Sequence, residues 1–226
     1  MNFAEILFLF ALDGGPGTIK PEMERGLDCA LAGALLMDLA LHNRVDTDLT
    51  CIRADPEQAS RDPLLLRVVD KTPTGDGLLD GALEEIRHKS DPRPTRDWLI
   101  RFSAGGGALR ARVAGALAAA GILEIREERK MFFFKTSRFR ILDSGGMDSV
   151  KARLKELVLG DEIPDPREAA LAGIADFCRL FDSLFSPEEM ARVRPRIDAI
   201  RKLDLIGQAM AVLIRDVEQG ASSCKP

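Results

Sequence analysis

The stretch Gly26–Asn43, GLDCALAGALLMDLALHN, is apolar on nearly every face when its residues are placed on a helix. A helix that is apolar all round lies inside a core, with other elements packed against it. A bilayer span needs about 20 apolar residues, and the run between its two charged residues, Asp28 and Asp38, is far shorter. The stretch therefore predicts a buried central helix in which Asp28 and Asp38 reach solvent or find a partner.

Composition favours a folded protein built around that helix. Of 226 residues, 46% are hydrophobic, which supplies a substantial core. The net charge of −4 argues against a surface that attracts nucleic acid as a whole, so an anion-binding face must be a local patch. The widely spaced cysteines, Cys29, Cys51, Cys178 and Cys224, indicate neither a disulfide framework nor a zinc site. Without a signal-peptide pattern, we expect a cytoplasmic protein that needs no metal or cofactor.

Helical stripes recur on both sides of the central helix. A stripe over residues 3–10 ends at a glycine cluster, and Asp76 and Thr95 are placed to cap two later helices. An alanine-rich helix is expected from Ala108 to a stop at Gly121. Extended segments are expected at 44–52 and 64–69.

The last third of the chain has two different patterns. In EIREERKMFFFKTSRFRIL (124–142), aromatic and branched residues alternate with basic ones, which predicts a β-hairpin with its turn at Lys135–Arg138. Helices follow, with capping-box starts at Asp165 and Ser186, a stripe that includes Phe177, and a last helix over Leu203–Val217. We predict a mainly α fold, one domain over residues 1–226 around the buried central helix, with short strands and a hairpin.

No segment carries a clear catalytic pattern. Gly105–Gly107 lacks the Lys-Ser/Thr pair of a phosphate loop and favours a flexible connector. His42 and His88 lie near helix ends without a nucleophile signature, and the carboxylates around Asp76 fit a turn and a helix start. We therefore expect a protein that is not an enzyme.

Basic residues gather with phenylalanines in and around the hairpin. They are Arg110, Arg112, Arg126, Arg129, Lys130, Lys135, Arg138 and Arg140, with Phe132, Phe133, Phe134 and Phe139. Local positive charge beside exposed rings is what an anionic membrane surface binds. Alternation along a strand normally means one buried side, so composition alone favours a core role for the rings and a solvated face for the charges.

Three stretches, in this order, resemble the Golgi phosphoprotein 3 family: EILFLFALDGGPG (5–17), GALLMDLAL (33–41) and TPTGDGLLDGALEEI (72–86). The last is the most specific, and AAAGIL (118–123) followed by a strand pair fits as well. The short N-terminus, without the basic leader of the eukaryotic adaptors, is similar to that of bacterial-type members.

This resemblance implies a helical domain around a central hydrophobic helix, with a projecting hairpin used in self-association. In the eukaryotic members, phosphatidylinositol 4-phosphate binds a shallow basic pocket and recruits the protein to a membrane where it gathers glycosyltransferase tails; they are not enzymes. The pocket's tryptophan falls here at Met23, its central-helix arginine at Ala32, and its two later arginines at Gly107 and Arg110, with Arg112 also matching.

We therefore expect a peripheral membrane protein that binds anionic phospholipid headgroups, phosphatidylinositol 4-phosphate by resemblance. Arg110 and Arg112 would contact the headgroup, with Met23, Ala32 and Gly107 at the rim of the pocket. Self-association or membrane contact would use the hairpin residues Phe132, Phe133, Phe134 and Arg138. The alternative is a soluble, self-associating interaction scaffold that does not bind phosphoinositide.

Overall fold

The computed structural model describes residues 1–12, 17–24, 26–47, 65–89, 92–130, 134–204, 212 and 214. The helices of this part are numbered α1 (Phe3–Ala11), α2 (Leu27–Leu41), α3 (Gly77–Arg87), α4 (Thr95–Ser103), α5 (Ala108–Ala119), α6 (Gly145–Leu159), α7 (Pro166–Phe177), α8 (Phe181–Leu184) and α9 (Pro187–Arg201). The strands are β1 (Val45–Thr47), β2 (Leu65–Val68), β3 (Arg93–Pro94), β4 (Leu123–Lys130) and β5 (Phe134–Ile141). The prediction of a mainly α fold is confirmed.

Helix α2 is the buried axis of the structure. Its leucines and alanines are almost all buried, and α1, α3, α4, α5 and β1 contact it from several sides. Leu31 and Leu36 are fully buried, and burial of a leucine side chain contributes about 1.5–3 kcal/mol. The predicted central helix is confirmed, because α2 begins and ends within two residues of the predicted bounds.

Both aspartates of α2 find an arginine. Asp28 is half-buried and accepts from Arg110 Nε at 2.9 Å. Asp38 is fully buried; one carboxylate oxygen accepts from Arg167 Nη1 at 2.6 Å, and the other accepts the backbone N–H of Phe3. A buried carboxylate is tolerated only when it is paired and hydrogen-bonded in this way.

Capping explains several of the helix boundaries. The Asp76 carboxylate accepts the N–H groups of Leu78 and Leu79, as predicted. Gly121 follows α5 with a φ of +73°, the conformation in which glycine ends a helix. The prediction for Thr95 is wrong: the residue is buried inside the first turn of α4, and the preceding proline takes the cap position.

The strands form two small antiparallel sheets. β2 lies between β1 and β3, with Val45 opposite Val68. β4 and β5 form the predicted hairpin, but its turn is not at Lys135–Arg138. The register runs from Leu123↔Ile141 to Lys130↔Phe134, so those residues pair within the strands. Aromatic and branched residues such as Phe134 and Thr136 favour continued pairing over a turn.

Both predicted capping boxes, at Asp165 and Ser186, are present in α7 and α9. Phe177 is exposed rather than buried, contrary to the predicted stripe. Helix α7 ends at that residue, and Arg179 then takes a φ of +55°. Cys178 and Phe181, the next members of the predicted stripe, are buried. The predicted last helix, residues 203–217, lies almost wholly outside the described residues.

Three hydrogen bonds to the carboxylate of Asp80, together called the clasp, explain part of the motif at 72–86. Its carboxylate accepts from the Thr74 N–H at 2.6 Å, the Thr74 hydroxyl at 2.7 Å and the Gly75 N–H at 3.2 Å. Burial raises the pKa of Asp80, but these hydrogen bonds outweigh it and hold the pKa below its ordinary value.

We therefore expect the clasp to weaken in acid. A carboxyl whose pKa is lowered by folding adds stability above its unfolded pKa, and that stability is lost as the pH falls through the folded pKa. Denaturant unfolding of the wild type and Asp80→Asn at neutral and acid pH should give a stability difference that shrinks in acid. A difference that stays constant with pH would show that the charge of Asp80 contributes nothing.

Candidate functional site

Arg110 lies in the first turn of α5 and is held by the segment that leads into α2. Its Nε donates to Asp28 at 2.9 Å, its Nη1 to the Glu24 carboxylate at 2.8 Å, and its Nη2 to the Glu24 carbonyl oxygen at 2.6 Å. Only 17% of the side chain is exposed. All three guanidinium nitrogens therefore have internal acceptors, and a lipid phosphate at Arg110 must compete with two carboxylates.

Arg112 points elsewhere. Its Nη1 lies 3.5 Å from the carboxylate of Glu85 on α3, a weak contact, and 42% of the side chain is exposed. Residues two apart on a helix do not share a face. Arg110 therefore contacts the start of α2 and Arg112 contacts α3, and headgroup binding by these two residues stays a prediction.

The glycine turn before α5 is a second electropositive feature of this helix. Gly105, Gly106 and Gly107 all have positive φ angles, of +118°, +59° and +94°. Gly107 occupies the cap position of α5, no side chain caps this end, and the first turn holds no acidic residue. Uncapped N–H groups and the helix dipole make such an end receptive to an anion.

The other expected rim positions lie inside the protein. Met23 is buried, and Ala32 is fully buried in the core. Ala32 therefore presents no surface to a ligand, whereas Gly107 is partly exposed at the start of α5.

One face of the hairpin is cationic at its base. Glu124 and Arg140 are directly opposite in the register, and so are Arg126 and Arg138. Glu124 contacts Arg126 at 2.9 Å and Arg140 at 3.6 Å, so a single carboxylate serves both arginines, each of which is more than half exposed. Arg138 is partly buried. Arginines outnumber carboxylates on this part of the face.

The opposite face of the hairpin docks on the core at Phe139. Its ring meets the edge of Phe8 with ring centroids 5.2 Å apart, and its N–H donates to the Gly17 carbonyl oxygen at 2.8 Å. At this position the core interpretation is confirmed. Ile125 and Ile141, which are on the same face, remain partly exposed. Phe132 and Phe133 lie outside the described residues, and only the strand position of Phe134 is described.

A cavity of about 540 Å³ at the beginning of α1 gathers several polar groups. Asn2 Nδ2 donates to Asp76 at 2.9 Å, Arg167 pairs with Asp38, and Arg167 Nη2 donates to the Met1 carbonyl oxygen at 3.1 Å. These polar groups bond one another, so we interpret the network as structural. Asp76, in the most specific sequence motif, thus ties α1 to α3.

The described residues offer little for catalysis. They contain no group of three or more His, Cys, Asp or Glu that could hold a metal ion. Burial raises the pKa of the Cys178 thiol to about 12, which makes it a poor nucleophile. His42 and His88 are exposed at the C-terminal ends of α2 and α3, as predicted.

The described part of the chain also contains no helix with the length and hydrophobicity of a membrane span. A span is therefore not found among α1–α9.

Comparison with known proteins identifies the relatives of this chain. The model of the Golgi phosphoprotein 3 (GPP34) family matches residues 3–217. Vacuolar protein sorting-associated protein 74 of Eremothecium gossypii is 28% identical over 150 residues, which is 61% of this chain and 43% of that relative. This chain thus spans less than half the length of that relative. The family match covers the central helix, the clasp motif and the hairpin alike, and the chain belongs to the Golgi phosphoprotein 3 (GPP34) family.

Proposed function

We propose that this protein is a non-enzymatic, cytoplasmic, single-domain protein that docks reversibly on anionic membrane by binding phospholipid headgroups. Membership of the Golgi phosphoprotein 3 family carries the proposal, because the family resemblance implies headgroup binding, with phosphatidylinositol 4-phosphate as the lipid. The Eremothecium gossypii relative is named for vacuolar protein sorting.

The glycine turn and Arg112 support a headgroup site at the start of α5. A phosphate placed there accepts from uncapped N–H groups and meets a guanidinium that is held only weakly, by Glu85 at 3.5 Å. Arg110 holds the loop before α2 against α5 and reaches a phosphate only if Glu24 releases it.

The hairpin base is a second contact with the membrane. Arg126 and Arg140 are more than half exposed on one face, and Leu142 is exposed directly after β5. Each basic residue near an anionic surface contributes about 1 kcal/mol, and exposed apolar side chains add area that the interface can bury. Weak contacts of this kind add up to reversible docking.

Two substitutions test the headgroup site. Arg112→Gln should weaken binding to acidic vesicles about fivefold, the equivalent of one surface charge, and should reduce its salt dependence. Glu24→Gln should strengthen binding, because it removes a competitor for Arg110. Arg192→Gln, an exposed arginine on α9, serves as the control. Unchanged binding and salt dependence in both variants would refute the assignment to α5.

The alternative is a soluble scaffold that self-associates through the hairpin. The observation that favours it is the two-stranded sheet of β4 and β5, which is not joined to the β1–β2–β3 sheet in the described part of the chain. Free strand edges pair readily with another copy.

Light scattering separates assembly from lipid binding. With Phe132, Phe133 and Phe134 changed to Ser, we expect the oligomer to be lost while binding to acidic vesicles persists. An unchanged mass would exclude these side chains from assembly, and a loss of vesicle binding would assign them to the membrane contact instead.

A further inference from the structure

A cavity of about 370 Å³ lies between β2 and the end of α3, apart from the groups described above. Four basic residues line it: Arg67 from β2, Lys71 from the loop that follows, and Arg87 and Lys89 from the end of α3. Trp98 of α4 also lines it. Among the described residues, the lining contains no carboxylate, in a protein whose net charge is −4. The cluster therefore does not follow from overall composition.

The charges of this cluster are poorly neutralised. Arg87 pairs with Glu84 at 2.8 Å. The described residues provide no carboxylate within ion-pair distance of Arg67, Lys71 or Lys89. Like charges around a concave, partly apolar wall repel one another and concentrate positive potential in the cavity. The cavity therefore attracts an anion.

The dipole of α3 explains the position of only two of the four basic residues. Cations near a helix C-terminus are stabilised by its dipole, which accounts for Arg87 and Lys89 at the end of α3. Arg67 and Lys71 come from a strand and its following loop, so this reason does not apply to them. Their convergence on the same cavity is the feature that points to a ligand.

Trp98 provides an independent observation. The residue is 1% exposed, and its indole Nε1 has no hydrogen-bond partner in the part of the chain that the structure describes. A buried N–H without an acceptor costs about 1–3 kcal/mol, and such groups are rare in folded proteins. Nε1 has no contact with solvent in this structure, so an oxyanion in the cavity becomes its acceptor only if the wall moves.

We propose that this cavity binds a phosphate monoester on a small polar molecule, either free in solution or as a lipid headgroup. A phosphate monoester carries about −1.5 to −2 charge at neutral pH and matches a set of cations better than a carboxylate does. Arg67 and Arg87 supply forked donors, and the lysines act as point charges. The volume is near the lower end of the range for small-molecule sites. The site shares no residue with α5 or the hairpin and does not rest on the proposed function.

The chain is well suited to a direct test, because Trp98 is its only tryptophan and it contains no tyrosine. Intrinsic fluorescence of the full chain therefore reports on this cavity alone. Glucose 6-phosphate and inorganic phosphate are titrated against sodium chloride at matched ionic strength. Vesicles of phosphatidylcholine carry either phosphatidic acid, a phosphate monoester, or phosphatidylserine, a diester. Calorimetry under the same conditions detects binding that leaves the emission unchanged.

We expect a saturable response to a phosphate monoester and weakening by about tenfold or more in Arg67→Gln/Lys71→Gln, which loses two charge-assisted contacts. Both residues are exposed, so the variant should fold, and Lys155→Gln on α6 is the matched control. A response to glucose 6-phosphate identifies a soluble ligand, and a response only to phosphatidic acid identifies a lipid. The proposal would be overturned if phosphate monoesters changed neither the fluorescence nor the calorimetric heat. It would also be overturned if phosphatidylserine vesicles or sodium chloride gave the same response as the monoesters, or if the double variant bound them as tightly as the wild type.

Discussion

Replacing Gly17 by alanine is expected to lower the free energy of unfolding by about 3 kcal/mol and to release the hairpin from the core. Gly17 has a φ of +67°, and a β-carbon there would overlap the carbonyl oxygen of Phe139. The two residues are also joined by the hydrogen bond from the Phe139 N–H to the Gly17 oxygen. β5 must therefore move away. Denaturant unfolding measures the loss, and faster hydrogen exchange at Phe139 reports the release.

Gly106→Ala separates the cost of the positive φ from the cost of the overlap with a neighbouring atom. Gly106 has a similar φ, of +59°, but no heavy atom lies within 4 Å of the position that its β-carbon would take. Its replacement should cost only the backbone strain, about 1 kcal/mol. Equal losses in the two variants would show that the close approach of Gly17 to β5 is not what destabilises the protein.

Replacing Arg167 by alanine is expected to cost about 3 kcal/mol, because it leaves the buried carboxylate of Asp38 without its counter-charge. The guanidinium of Arg167 also lies 4.5 Å from the centre of the Phe3 ring. Of the contacts described for Asp38, only the Phe3 N–H then remains to a carboxylate oxygen. Thermal and denaturant unfolding measure the change.

Two further variants make this result specific. Adding Asp38→Asn to Arg167→Ala should restore part of the stability, because no charge is then buried. Arg101→Ala removes an exposed arginine 3.6 Å from Glu85 and should change stability by about 0.5 kcal/mol or less. A cost at Arg167 no larger than that at Arg101 would mean that the Asp38 pair does not stabilise the fold.

The elements best predicted from the sequence are those determined by local chemistry. An all-apolar stretch has no stable place except a core, and α2 is found there. Asp76, Asp165 and Ser186 cap their helices because each side chain bonds to backbone only two or three residues away. Such contacts need no knowledge of the tertiary structure.

The features that could not be predicted depend on long-range contacts. Arg110 contacts Glu24 and Asp28, which lie 86 and 82 positions earlier in the chain. The sequence around Arg110 therefore gives no sign that its guanidinium is paired. The family positions at Arg110 and Arg112 are close in sequence but contact different helices. The cavity beside Trp98 draws its cations from β2, a loop and α3, and no sequence window contains them together.

These findings divide the basic residues into three groups with different roles. Arg110 and Arg167 join α5 and α7 to the α2 region, because each forms ion pairs with carboxylates in or just before α2. Arg112, Arg126 and Arg140 are more exposed and weakly held, which suits contact with an anionic surface. The cations around the cavity beside Trp98 face a concave volume, which suits a small ligand. The proposed docking on membrane rests on the second group, and the cavity is tested separately.

Sedimentation of the full chain with vesicles tests membrane docking most directly. Three vesicle types are compared at low and high salt: phosphatidylcholine alone, phosphatidylcholine with phosphatidylserine, and phosphatidylcholine with phosphatidylinositol 4-phosphate at matched charge. We predict that the protein sediments with both acidic types at low salt, most strongly with the phosphoinositide, and that high salt releases it. Equal, salt-insensitive failure to sediment with all three would contradict the account.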